Sequence, residues 1–172
     1  MSCFLAGALF FAVYNRWIVF LYPSYVGQMK QAAGNMKFAK KDVMLTYWHK
    51  RKWHKEKINL LWSIDTSENL LYLLRSWLNL LDEDNVMKKK VGLQAVLLSA
   101  SGQQAYLSFD RHPFGKEDST YQKLMWIEGL LRTVCENDIK LQSVYFLVHH
   151  HIMEDYHLDF SNPWPVYGFL TQ

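Results

Sequence analysis

Cysteine is scarce. The 172 residues hold two, Cys3 and Cys135. One lies in an apolar first segment and the other in a helix-like one, so they are not expected to pair, and a disulfide framework is excluded. Cysteine therefore says nothing about the compartment. Excess charge of one sign is also lacking: 19 Lys and Arg stand against 16 Asp and Glu, a net charge of +3. That balance is too weak to imply a nucleic-acid partner. No G-x-S-x-G elbow surrounds Ser108, Ser119, Ser161 or Cys135, and no H-E-x-x-H spacing occurs, so the common hydrolase signatures are missing. Repeats and low-complexity tracts are missing too. What is present is apolar and aromatic material, 50% and 16% of the chain, enough for the core of one domain plus an appendage.

The appendage is the segment Cys3 to Tyr22, "CFLAGALFFAVYNRWIVFLY", apolar except for Asn15 and Arg16. One bilayer crossing needs about 20 such residues. Arg16 near its centre costs on the order of 2.5–3.5 kcal/mol on insertion scales. We expect a membrane anchor over residues 1–24 and a connector over 25–41. A cleaved signal peptide is not expected, since no Lys or Arg precedes the run and no clear cleavage site follows it. A lipid-modified Cys3 is not expected either, having no apolar run before it. Lys30, Lys37, Lys40 and Lys41 follow the run, and positive-inside counting puts the rest of the chain in the cytoplasm.

From Asp42 onward the pattern reads as a domain. "DVMLTYWH" (42–49) and "INLLWSI" (58–64) read as hairpin strands, with the basic stretch Lys50 to Lys57 as a charged tip. "DTSENLLYLLRSWLNLLDED" opens on Asp65, has Glu68 three residues later, and repeats Leu70, Leu73, Leu74, Trp77 and Leu81 at helical spacing. A second hairpin follows over 91–100 and 104–109. A second helix begins at Ser119, boxed with Gln122, and carries a stripe of Leu124, Ile127, Leu131, Val134 and Cys135. Cys135 is expected to be a small core residue. Gly129 lies inside that helix, which a close approach to the sheet would explain. "LQSVYFLVH" (141–149) is a buried-type strand. The fold class predicted is α+β: a β-β-α-β-β-α-β sheet with two helices on one face, preceded by a transmembrane helix.

Several of these segments, in this order, resemble the GerMN domain, a family named from the sporulation and germination protein GerM. They are "ENLLYLLRSWLN", "GQQAYLSFDR", "LMWIEGLLRTVCENDIKLQSVYFLV" and "YHLDFSNPW", spanning roughly Lys41 to Val166 within a domain over 42–172. The resemblance implies a non-catalytic, membrane-anchored, extracytoplasmic assembly module of the bacterial cell envelope, with envelope or membrane-complex proteins or further copies of itself as partners. It implies no cofactor, and it opposes the topology read from the lysines. It departs from the family after the last strand, where an acidic residue and a Gly usually make a tight turn and this chain has His149, His150 and His151.

That departure falls in "LVHHHIMEDYHLDF" (147–160), which holds four of the seven histidines. His149 and His151 share one side of a strand, and His157 with Glu154 or Asp155 could complete an N/O ligand set for Zn²⁺. The competing reading is a solvated turn. A metal-binding protein or hydrolase built on the His149–His157 turn is the alternative function. A third reading uses the basic hairpin, with Lys50, Arg51, Lys52, Trp53 and Lys55 as candidates for contact with a partner or an anionic surface. Edge-protecting lysines would explain the same residues. Asp159 is expected to be a turn carboxylate. The tail residues Trp164, Tyr167 and Phe169 are expected to cover the sheet.

Overall fold

A computed structural model describes residues 39–168. The expected anchor and most of its connector lie outside the described residues. Among those described, no helix is long and apolar enough to cross a membrane.

Strand β1 (Ala39–His49) pairs antiparallel with β2 (Lys52–Trp62), His49 opposite Lys52. The connection is therefore the two residues Lys50 and Arg51, at φ 49 and 62. Two positive φ values in a two-residue loop are the pattern of a type I′ turn, whose twist matches that of the flanking strands. This corrects the expected charged tip: most of Lys50 to Lys57 is strand, and β2 begins six residues before Ile58. Alternating charged residues on its exposed side hid the period-2 pattern. Trp48 and Trp53 face each other across the turn, rings 5.1 Å apart and edge-on.

Helix α1 (Thr66–Glu83) is capped by Asp65, whose carboxylate accepts from the Ser67 N–H at 2.8 Å. Its Leu70, Leu73, Leu74, Trp77, Leu78 and Leu81 are buried, each contributing about 1.5–3 kcal/mol of apolar transfer. Strands β3 (Leu93–Leu98) and β4 (Gln104–Phe109) form the second hairpin. Helix α2 (Thr120–Glu136) starts at a complete capping box between Ser119 and Gln122. Its crossover makes β5 (Ser143–Val148) parallel to β4. Two short strands, β6 (His151–Ile152) and β7 (Trp164–Pro165), both pair with β5. Two-residue strands close an edge without offering a template for further pairing.

The α+β class holds, but there are two sheets rather than one: the β1–β2 hairpin and a five-stranded sheet. Both helices lie on the inner face of the larger sheet, where Trp126 of α2 meets Phe109 at 5.8 Å and Phe146 at 6.4 Å. The hairpin covers their other side. Helix α2 is thus enclosed, which is why Ile127, Gly129, Leu131 and Thr133 are all buried although they span its circumference.

The free edge of β1 is satisfied by helix side chains instead of a third strand. The Thr46 N–H donates to Thr133 Oγ1 at 2.9 Å, and its carbonyl accepts from the Trp77 indole at 2.9 Å and from Thr133 Oγ1 at 3.1 Å. The Met44 N–H donates to Asn137 Oδ1 at 2.9 Å, and its carbonyl accepts from Asn137 Nδ2 at 2.7 Å. Gly129 permits this approach. A Cβ there would lie 3.2 Å from the Thr46 carbonyl oxygen and 3.4 Å from the Trp77 ring. Two hydrogen bonds hold that carbonyl, so it resists moving. Gly129→Ala is therefore expected to lower stability by about 1–2 kcal/mol despite a helix-propensity gain of about 1 kcal/mol. An unchanged or raised urea midpoint would refute the close-packing account.

Cys135 is exposed, which corrects its place on the apolar stripe. The buried stripe runs through Ile127, Leu130, Leu131 and Val134, and the next residue lies about 100° further round the helix.

Candidate functional site

The histidine stretch is resolved by its backbone. Val148 pairs with His151 across β5 and β6, leaving His149 and His150 as a two-residue loop at φ 50 and 68. This is a second type I′ turn, formed without the glycine that such turns prefer. The His149 N–H donates to the Phe109 carbonyl at 3.0 Å, and the His150 N–H to Ser108 Oγ at 3.0 Å. The metal candidates His149, His151, Glu154 and His157 are not brought together: among the described residues, no group of three or more His, Cys, Asp or Glu is placed to hold a metal ion. His149 and His151 are exposed at the turn, and the Glu154 backbone carbonyl meets His112 Nε2 at 2.9 Å. His157 Nδ1 lies 3.4 Å from Lys123 Nζ, and Asp155 is engaged by the same lysine. His149→Asn with His150→Gly supplies the residues a type I′ turn favours and is expected to raise stability by about 1 kcal/mol. A fall in the unfolding midpoint would mean the imidazoles contribute contacts of their own.

Asp155 and Lys123 form a buried ion pair at 2.5 Å, with side chains 5% and 1% exposed. Burial alone raises the Asp155 carboxyl. The Lys123 ammonium, with the His157 and Leu158 N–H groups, outweighs it and holds the carboxyl below its ordinary value. This pair ties the 153–160 loop to α2. Asp159 is a turn carboxylate as expected, accepting from the Ser161 hydroxyl and N–H, which hold it below the ordinary range. In the tail, Trp164 rests on Phe160 at 5.6 Å and Phe146 at 6.4 Å, so it covers the core. Tyr167 is exposed and Phe169 lies outside the described residues.

The basic hairpin candidates separate. Lys55 is paired with Glu136 at 2.7 Å, and Trp53 lies under the Arg132 guanidinium at 4.4 Å. Lys52 is exposed on β2. Lys50 and Arg51 instead line a cleft of about 540 Å³ that sequence reasoning missed. Its other walls come from the end of α1, residues 86–89, the 113–118 loop and the first turns of α2. No local motif marks it, because its walls are separated in sequence.

Tyr47, Trp48, Trp77, Phe114, Tyr121 and Trp126 give the cleft its aromatic lining. Burial, then the hydrogen bond to Asp84, pushes the Tyr47 phenol up to about 12, so it stays protonated. Asp118 accepts from Lys88 at 2.8 Å and from the Gly115 N–H at 2.6 Å. Burial works to raise its carboxyl, and these partners bring it below the ordinary value.

No family model and no curated protein matches the sequence. Among solved structures, one described as a "Putative Lipoprotein from Clostridium perfringens" is similar, with a TM-score of 0.50 and 14% identity over 76% of this chain and 91% of that one. At that identity the likeness is one of fold.

Proposed function

We propose that this chain is a membrane-tethered module of the bacterial cell envelope that works by binding other proteins rather than by turnover. The observation that carries the reading is the outer face of the five-stranded sheet, which no helix or strand among the described residues covers. Tyr106 and Tyr145 stack there across β4 and β5, ring centroids 4.8 Å apart and 3° from parallel. Leu97, paired with Tyr106, is 63% exposed, and Ile152, paired with Leu147, is 53% exposed. A stacked tyrosine pair flanked by exposed aliphatic residues has the composition of an interface core. The fold likeness to a chain described as a lipoprotein supports the envelope setting, as does the apolar segment 3–22. The finer assignment, a GerMN-type module in a sporulation or germination assembly, rests on the ordered sequence segments.

The test has two arms. Protease added to intact spheroplasts should digest a C-terminally tagged chain, whereas protection until lysis would overturn the extracytoplasmic placement. Leu97→Glu with Tyr145→Glu should keep the unfolding midpoint and abolish in-cell crosslinks formed from position 106. Unchanged crosslinking would remove the face as the contact surface.

A further inference from the structure

We propose that the cleft between the β1–β2 turn and the start of α2 binds a small organic anion, a phosphate ester with a planar apolar body. This goes beyond the assembly reading and does not depend on it. Three observations converge on the site.

The first is charge. Five Lys and Arg side chains line the cleft against one carboxylate, Asp118. Lys88 is spent on Asp118 and Lys123 on Asp155. Lys50, Arg51 and Lys89 have no carboxylate partner among the described residues. Three uncompensated cations at the mouth of an apolar cleft attract an anion, and the low-dielectric walls concentrate their field.

The second is an orphaned donor. Trp126 lines the cleft, and its indole Nε1–H is buried with no hydrogen-bond acceptor among the described residues. Buried donors are nearly always paired, and leaving one unpaired costs about 1–3 kcal/mol. The nitrogen is closed off from the cleft in this structure, and a ligand oxygen satisfies it once the indole ring turns toward the mouth. The surrounding rings offer planar surface for the rest of the ligand, and the volume suits a small molecule.

The third is backbone strain at the mouth. Lys50 and Arg51 occupy left-handed positions that Asn-Gly would fill more cheaply. Each such non-glycine residue costs on the order of 1 kcal/mol. The turn holds two cations beside the cleft at that cost, as the His149–His150 turn holds two imidazoles in solvent.

The experiment uses the full chain labelled at its indole nitrogens, with 1-naphthyl phosphate as the probe. The Trp126 indole N–H resonance, assigned by its loss in Trp126→Phe, should move downfield on titration. Inorganic phosphate and 1-naphthol should each bind at least tenfold more weakly, since each keeps only half of the contacts. Lys50→Asn with Arg51→Gly should weaken the naphthyl ester about tenfold or more while raising the unfolding midpoint, so misfolding cannot explain the loss. Lys89→Gln should weaken it as well. Vesicles doped with phosphatidic acid separate the two sources of the ester. Binding of vesicles but not of the soluble ester, with the same residue dependence and the same indole shift, assigns a lipid headgroup; the converse assigns a free ester. An unmoved Trp126 resonance with both probes, or wild-type affinity in both cation variants, overturns the proposal.

Discussion

Asp155→Asn is expected to destabilise the domain by about 3–5 kcal/mol at neutral pH, because it leaves the Lys123 ammonium buried without a counter-charge. The substitution isolates charge from shape. Asparagine retains the side-chain oxygen that accepts from the His157 N–H at 2.9 Å and the Leu158 N–H at 3.2 Å. Urea unfolding at pH 7 measures the loss. Lys123→Met combined with Asp155→Leu should recover most of it, since an apolar pair of similar volume avoids both desolvation costs. A single variant within about 1 kcal/mol of wild type would show that water reaches the pair. The pair also sets an acid dependence. The Asp155 carboxyl is lowered in the folded state, so its contribution is complete above the unfolded Asp value of about 3.9 and is lost as pH falls through the folded one. The wild type should therefore lose more stability than Asp155→Asn between neutral pH and pH of about 3.

Asn137→Leu is expected to cost about 2–4 kcal/mol, since it strips the partner from both the Met44 N–H and the Met44 carbonyl at once. Asn137 is only 3% exposed. Its amide also donates to the Thr133 carbonyl at 2.6 Å, closing the end of α2 onto β1. A leucine offers no replacement donor or acceptor, so two backbone groups of an edge strand are left bare. Beyond lower stability, the variant should associate through that edge, visible as concentration-dependent sedimentation. Asn137→Asp keeps the acceptor for the Met44 N–H but faces the Met44 carbonyl with a carboxylate, and should lose a comparable amount. A neutral result for either variant would mean that water substitutes for the side chain at this edge.

Periodicity located the elements where one face is apolar and the other polar. Leu70, Leu73, Leu74, Trp77 and Leu81 mark α1, and their residues are buried as spaced. Ser119 and Gln122 mark the start of α2, where the capping box forms. The same reasoning found β2 only from Ile58 and missed its first six residues, whose outer positions are lysines and a glutamate that read as a loop. It also failed at Cys135, where one step along a helix separates core from solvent. Single-letter patterns record burial on one side only. They do not say which second layer covers a helix, so the enclosure of α2 by a separate hairpin was not legible, although Gly129 hinted at a close approach. The histidine run illustrates the converse. Three adjacent imidazoles suggest ligation by composition, while their backbone forms a reverse turn that directs them to solvent.

The sequence by itself determined the α+β class, the order of most strands and helices, the helix caps and the aromatic supply of the core. Those features depend on local propensity and on residues within about one turn of each other. Only the tertiary structure decided that there are two sheets, that side chains from both helices close the free edge of β1, that Lys123 is buried against Asp155, and that Lys50, Arg51, Lys89 and Trp126 share one cleft. These depend on contacts between residues far apart in the chain, such as Met44 with Asn137. They form because a buried peptide or charge must find a partner wherever the fold places one.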